Sequence, residues 1–120
     1  MRIKVLLVDD EPNILMTLEM VLEGEGFDVH TASSGRAAKA ALAHSTFDVI
    51  LTDLSLESRD TGYDIVRAAK DHPAKPATLV MSGFPDLLCN WQSQGADAAL
   101  QKPTEVPELL ATINRLVVQR

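Results

Sequence analysis

Polar residues of complementary chemistry follow the short apolar runs of the sequence. They are two adjacent aspartates, a third aspartate, a serine and a lysine: Asp9, Asp10, Asp53, Ser82 and Lys102. Carboxylates about 4 Å apart repel by roughly 4 kcal/mol at an effective dielectric near 20, so a site that holds three of them needs cations. The lysine supplies one positive charge, and a divalent ion is the natural second. Ligands that are all oxygen favour Mg²⁺ over zinc.

A carboxylate held beside a hard cation and an ammonium group is suited to attack phosphorus. Aspartyl phosphates are a known type of covalent intermediate, and their formation depends on positioning and on neutralised charge. In this hypothesis Asp53 is the phosphoacceptor and Lys102 neutralises the transferring group. Ser82 donates a hydrogen bond to a phosphoryl oxygen, and Gly83 leaves room for that group beside the backbone.

The elements that must bring these residues together alternate between short apolar runs and longer amphipathic stretches. The apolar runs predict strands at residues 3–8, 27–32, 47–52, 77–81 and 98–100. The stretches between them predict helices that begin at Pro12, at Ser33 or Ser34, near Gly62, after Pro85 and near Pro107. This alternation predicts an α/β fold with a parallel sheet and helices on both faces. In such sheets the functional crevice lies at the carboxyl ends of the strands, where the polar residues stand.

The bulk composition limits the classes of function. With 120 residues, 46% of them hydrophobic and 23% charged, the chain predicts a single globular domain over residues 1–120. A net charge of −6, with 11 scattered Lys and Arg, argues against nucleic acid or an anionic membrane as the main partner. The first apolar run is too short for a signal peptide or a membrane span, and we expect a cytoplasmic protein.

The motifs and their order resemble those of bacterial two-component response-regulator receiver domains, in the single-domain, chemotaxis-regulator-like form. The matching segments are V-D-D-E-P at residues 8–12, the strand-end Asp53, M-S-G at 81–83, G-A-D at 95–97 and K-P at 102–103. The resemblance covers the whole chain. It implies a flavodoxin-like doubly wound (βα)5 sandwich whose five parallel strands lie in the order 2-1-3-4-5.

The resemblance also implies how a Mg²⁺ ion would be held. Asp10 and Asp53 match direct ligands of the metal, and Asp9 matches the acid that usually acts through water. The backbone carbonyl of Ser55 matches the third protein ligand. No other cofactor is expected.

The same resemblance implies the reaction and its partners. A sensor histidine kinase or a histidine phosphotransfer protein would donate a phosphoryl group to Asp53, which would alter contacts with an unknown downstream protein. Backbone positions Gly83 and Leu54 match the lining of the phosphoryl pocket. The peptide bond before Pro103 is expected to be cis, which aims the ammonium of Lys102 inward. The protein would promote its own phosphorylation and dephosphorylation but would have no separate substrate.

Three departures from the family pattern touch the surface through which receivers usually signal. Ala99 stands three residues before the lysine, where family members usually carry Tyr or Phe. The loop after Asp53 is longer than usual and carries three charged residues: Glu57, Arg59 and Asp60. The stretch at residues 82–95 is short, so the fourth helix is expected to be short or irregular. We therefore expect phosphorylation to change residues 54–61 and 84–91 most.

Two other functions stay open at this point. A non-enzymatic interaction module that signals without phosphorylation is suggested by Ala99, although the acidic residues argue against it. An enzyme on a similar sheet would need a glycine-rich phosphate-binding loop after the first strand, where the acidic stretch at residues 9–12 stands instead. Outside the acidic site, we expect Cys89 to be a buried small apolar residue and Trp91 to be a packed or half-exposed helix residue.

Overall fold

A parallel sheet organises the chain, as a computed structural model that describes residues 2–58 and 61–119 shows. Its strands are β1 (Lys4–Val8), β2 (Asp28–Ala32), β3 (Val49–Asp53), β4 (Ala77–Ser82) and β5 (Ala98–Gln101). The helices between and after them are α1 (Pro12–Gly24), α2 (Gly35–His44), α3 (Thr61–Asp71), α4 (Pro85–Leu88) and α5 (Val106–Val118). The strands lie in the order β2-β1-β3-β4-β5, and all neighbouring pairs are parallel. The flavodoxin-like fold predicted from the sequence is confirmed.

The sheet is covered on both faces, and its central strands β3 and β4 are buried along their whole length. In β1, alternate side chains point to opposite faces of the sheet. Val5 and Leu7 pack in the layer that holds the apolar residues of α1 and α5, such as Leu22 and Ile113. Leu6 and Val8 pack in the layer of α2 and α3. These two layers fix the sheet between the helices and leave its carboxyl edge to the polar residues that follow the strands.

The helix ends follow local sequence signals. Pro12 is the first residue of α1, and Ser34 caps α2 because its hydroxyl accepts a hydrogen bond from the N–H of Ala37 at 3.0 Å. Phe27, expected in the second strand, instead closes α1: its N–H donates to the carbonyl of Leu22 at 3.1 Å. The longest helices, α1 and α5, have 13 residues each. Within the described parts of the chain, no helix is long and apolar enough to cross a membrane.

The region after β4 has the short fourth helix that the sequence predicts, but it differs from the prediction at Cys89. The helix α4 has only 4 residues and ends at Leu88, and residues 89–95 form turns instead of further helix. Its first-turn backbone has no side-chain cap, and the residues that follow are mostly polar. Cys89 was expected to be buried, but it is exposed. Leu87, Leu88 and Trp91 take the positions that face the protein interior, which leaves Cys89 on the solvent side.

Candidate functional site

The carboxyl edge of the sheet brings together the aspartates predicted to form a site. Asp9 and Asp10 follow β1, and Asp53 is the last residue of β3. The two strands are neighbours in the sheet, with Val8 paired to Thr52, so their ends lie side by side. One carboxylate oxygen from each of the three aspartates lies within 4.8 Å of the others. Asp9 and Asp53 are buried, whereas Asp10 is exposed.

Lys102 reaches the acidic cluster from the far edge of the sheet. Its Nζ lies 2.9 Å from the Oδ2 of Asp9 and 3.6 Å from the Oδ2 of Asp53. The backbone N–H of Lys102 donates to the carbonyl of Ser82 at 2.8 Å, and its peptide bond to Pro103 is cis. Burial lowers the pKa of Lys102, but the hydrogen bond to Asp9 and the charge of Asp53 outweigh burial and raise that pKa above its ordinary value. The ammonium group therefore stays charged in the site.

The environment of Asp53 makes its negative charge costly. Burial raises the pKa of Asp53 above its ordinary value, and the nearby charges of Asp9 and Asp10 raise it further. The ammonium of Lys102 and a hydrogen bond from the backbone of Ser55 act in the opposite direction. Added positive charge near these carboxylates would stabilise the ionised form of Asp53.

The hydrogen bonds of Asp9 and Asp10 differ in a way that matters for a cation. Both carboxylate oxygens of Asp9 are engaged, Oδ2 by Lys102 at 2.9 Å and Oδ1 by the N–H of Glu11 at 3.0 Å. Among residues 2–58 and 61–119, the carboxylate of Asp10 takes part in no hydrogen bond or ion pair. The carboxylate oxygens of the exposed Asp10 are therefore available to bind a cation.

Ser82 and Gly83 complete the edge of the site at the end of β4. Ser82 is fully buried, and its hydroxyl accepts a hydrogen bond from the N–H of Phe84 at 2.9 Å. A β carbon at Gly83 would meet no other heavy atom within 4 Å, so the space beside this residue is open.

The backbone N–H of Leu54, in the loop that follows Asp53, has a partner that the sequence pattern did not predict. The N–H of Leu54, expected to line a phosphoryl pocket, donates to the carbonyl of Met81 at 2.9 Å. This bond continues the pairing of β3 with β4 and counts against a role for that N–H in binding a ligand. Ser55 follows, half-buried, two positions after Asp53.

Gly62 and Glu57 fix the rest of this loop, and nothing in the sequence pattern indicated that Glu57 would reach α2. A β carbon at Gly62 would lie 2.5 Å from the carbonyl oxygen of Asp53, so only glycine lets α3 begin this close to the site. The carboxylate of Glu57 accepts hydrogen bonds from the N–H groups of Gly35 at 2.8 Å and Arg36 at 3.2 Å, at the start of α2. Arg59 and Asp60, also predicted in this loop, lie outside the described residues.

Ala99 lies at the edge of a small apolar cluster between α3, α4 and β5. The cluster is formed by Leu54, Tyr63, Val66, Val80 and Ala96, with Leu87, Leu88, Trp91 and Ala99 packed against it. Tyr63 is nearly fully buried there, and its hydroxyl donates a hydrogen bond to the carbonyl of Leu87 in α4. Trp91 is half-buried against the same cluster, as expected, but it lies in a turn and not in a helix. An aromatic residue of α3 therefore packs in the same cluster as the alanine of β5.

Comparison with known proteins defines the class to which this fold and site belong. Residues 5–114 match the response regulator receiver domain family, and the chain belongs to that family. The cell cycle response regulator CtrA of Brucella ovis is 30% identical over 116 residues, which are 95% of this chain and 50% of that protein. The chain thus spans about half the length of the curated relatives it matches.

Solved structures of single receivers align over nearly the whole chain. The chemotaxis response regulator CheY4 of Vibrio cholerae has a TM-score of 0.85 and 29% identity, covering 97% of this chain and 99% of that one. A receiver domain protein from Clostridium thermocellum has a TM-score of 0.86 and 29% identity, with coverages of 98% and 95%. A CheY-like receiver from Methanospirillum hungatei has a TM-score of 0.90 at 23% identity, with coverages of 99% and 96%, and supports the fold alone.

Proposed function

We propose that this receiver domain accepts a phosphoryl group on Asp53 in a Mg²⁺-dependent reaction and thereby changes its contacts with other proteins. One observation carries the proposal. Three aspartate carboxylates lie within 4.8 Å of one another, and the Nζ of Lys102 lies 2.9 Å from Asp9 and 3.6 Å from Asp53. A single ammonium group cannot offset three carboxylates, so the cluster is built for a further cation and for a ligand that the cation binds.

The donor set fits Mg²⁺. All candidate ligands are oxygen atoms, and this ion favours carboxylates while keeping several waters. Asp10 and Asp53 are the proposed direct ligands because Asp9 already uses both oxygens for Lys102 and Glu11. Asp9 would act through water, and the carbonyl of Ser55 is the proposed third protein ligand. The bound ion would neutralise charge between the carboxylates and an incoming phosphoryl group.

Asp53 is the proposed nucleophile. Its carboxylate oxygen forms a bond to phosphorus while the P–N bond to a phosphohistidine donor breaks, and the electron pair of that bond stays on the imidazole nitrogen. The ammonium of Lys102, 3.6 Å away, stabilises the negative charge on the phosphoryl oxygens during this exchange. Ser82 would donate a hydrogen bond to one of those oxygens, and the open space at Gly83 would admit the group.

The proposed donor is a sensor histidine kinase or a histidine phosphotransfer protein. A donor of this kind must reach the carboxyl edge of the sheet, next to α1. Met16 and Met20, one helical turn apart on α1, are 55% and 67% exposed and offer an apolar contact. A cavity of about 480 Å³ between α1 and α5 includes Lys102 and Pro103 in its wall. These features support a protein donor that docks beside the acidic site. The downstream partner is a second protein, recognised through the surface that the phosphoryl group changes.

The chemistry of the product tests this function. The protein should gain one phosphoryl mass when it is treated with acetyl phosphate in Mg²⁺, and the gain should disappear when EDTA removes the ion. The bond should break with hydroxylamine, as an acyl phosphate does, whereas a phosphoserine or phosphothreonine would survive. A hydroxylamine-resistant product would contradict the proposal.

A further inference from the structure

Three hydrogen bonds, connected through the backbone of Leu87 and Phe84, link the buried Tyr63 to the hydroxyl of Ser82. The hydroxyl of Tyr63, on α3, donates to the carbonyl of Leu87 in α4. The N–H of Leu87 donates to the carbonyl of Phe84 at 3.0 Å. The N–H of Phe84 in turn donates to the Oγ of Ser82 at 2.9 Å. Two residues of a short segment, Leu87 and Phe84, thus link Tyr63 to the hydroxyl proposed to meet the phosphoryl group.

We propose that Tyr63 is a positioning residue that holds Ser82 in its unphosphorylated arrangement through this path. The inference rests on the proposed phosphorylation of Asp53. It assigns to α3 a task that the fifth strand cannot perform, because Ala99 has no rotatable side chain with which to follow a movement of Ser82.

The hydrogen bonds of Ser82 explain why Tyr63 would matter. The Oγ of Ser82 has two contacts, 2.9 Å to the N–H of Phe84 and 3.5 Å to its carbonyl. A hydroxyl that turns toward a phosphoryl group on Asp53 must therefore either leave Phe84 or draw Phe84 along. Leaving Phe84 breaks the hydrogen bond from its N–H at 2.9 Å, which is costly in a partly buried site. Drawing it along moves Leu87 and strains the hydrogen bond from Tyr63.

The segment that carries Phe84 is short, and the ring of this residue is partly exposed. The helix α4 has 4 residues and no side-chain cap at its start, and the ring of Phe84 is 49% exposed. Tyr63 is fixed by contrast, at 3% exposure on a helix of 11 residues. Loss of its hydroxyl should let residues 84–87 follow Ser82 at lower cost and so favour the phosphorylated arrangement.

The test uses Tyr63→Phe, which removes the hydroxyl and keeps the ring in the apolar cluster. Beryllofluoride in Mg²⁺ serves as the phosphoryl analogue, and calorimetry measures its binding to the full chain. We expect Tyr63→Phe to bind roughly threefold to tenfold more tightly than the wild type, the change that one ordinary hydrogen bond can supply. Hydrogen exchange in the absence of beryllofluoride should also be faster at the N–H groups of Phe84 and Leu87.

Thr112→Val is the matched control, because it also removes a hydroxyl that donates to a helix carbonyl, that of Glu108 at 2.8 Å in α5. It should leave beryllofluoride binding and the exchange at Phe84 unchanged. If the wild type binds beryllofluoride and Tyr63→Phe binds it equally or more weakly, the proposed role of Tyr63 is wrong, while the proposed phosphorylation of Asp53 is unaffected. A wild type that binds no beryllofluoride in Mg²⁺ would overturn the proposed function and this inference with it.

Discussion

Lys102 and Asp9 form an ion pair at 2.9 Å although 93 positions separate them in the chain. Asp9 follows β1 and Lys102 follows β5, and the strands β3 and β4 lie between these two in the sheet. The pair therefore spans the carboxyl edge of the sheet and exists only when all four strands are assembled. It links the stability of the fold directly to the charge balance of the site.

Replacement of that ammonium should destabilise the protein in a way that Mg²⁺ repairs. Lys102→Met leaves three carboxylates facing one another without a cation, two of them buried. We expect a loss of roughly 1–3 kcal/mol in the free energy of unfolding, below the range for a fully buried pair because Lys102 is partly exposed. Urea denaturation measures the loss, and added Mg²⁺ should recover part of it. If Lys102→Met is as stable as the wild type in EDTA, repulsion among the three carboxylates does not destabilise the fold.

Gly62 should tolerate no side chain. A β carbon there would lie 2.5 Å from the carbonyl oxygen of Asp53 and 2.7 Å from the Cα of Leu54, and both are backbone atoms that cannot swing aside. We expect Gly62→Ala to cost roughly 1–3 kcal/mol of stability, as overpacking does, and to weaken Mg²⁺ binding by displacing Asp53. Thermal unfolding and calorimetry measure the two effects.

Gly24→Ala is the control for this substitution. Gly24 is the last residue of α1, and a β carbon there would meet nothing within 4 Å. The change should be neutral or slightly stabilising, because alanine has the higher helix propensity. An equal change of stability in Gly62→Ala and Gly24→Ala would mean that the close backbone contacts are not the reason why position 62 requires glycine.

Glu57 should stabilise the protein only where it is ionised. The N–H of Gly35, with smaller help from that of Arg36, lowers the pKa of Glu57 below its ordinary value. A lowered pKa means that the stabilisation is complete above the ordinary glutamate range and is lost as the pH falls through the pKa of the folded state. Glu57→Gln should therefore be less stable than the wild type at neutral pH, and the gap should close as the pH falls below the ordinary glutamate range.

Urea denaturation at several pH values measures that gap, with Glu23→Gln on the exposed face of α1 as the control. The control should show no comparable gap at neutral pH. A gap for Glu57→Gln that is the same at every pH would show that its carboxylate acts through shape and not through charge.

Phosphorylation should act mainly on the loop after Asp53 and on the segment after β4. Both segments touch the site, the first through Gly62 and the second through the hydrogen bond of Ser82 to Phe84. Ala99 cannot rotate, so β5 has little means to respond. We expect hydrogen exchange with and without beryllofluoride to change most in residues 54–61 and 84–91. Changes concentrated in β5 and α5 would mean that the fifth strand responds without its aromatic residue.

The alternation of strands and helices and the acidic site could be predicted from strong local signals, whereas the order of the strands followed from the family resemblance. Continuous apolar runs such as residues 5–8 mark buried strands, and the aspartates come directly after them. Side-chain partners across the chain leave no such signal. Nothing in the pattern around Glu57 indicates that it reaches α2, and nothing around Tyr63 indicates Leu87 as the acceptor. Cys89 was misjudged because the turn after a four-residue helix decides its exposure, and periodicity cannot predict such a turn.

Mass spectrometry of the intact protein and its peptides tests whether Asp53 is the phosphoacceptor. The wild type, Asp53→Asn and Asp71→Asn would be treated with acetyl phosphate in Mg²⁺; Asp71 ends α3 as an exposed residue and serves as the matched acid outside the site. We predict one phosphoryl group on Asp53 in the wild type and in Asp71→Asn, and none in Asp53→Asn. Phosphorylation of Asp53→Asn to the same extent as the wild type would contradict this prediction.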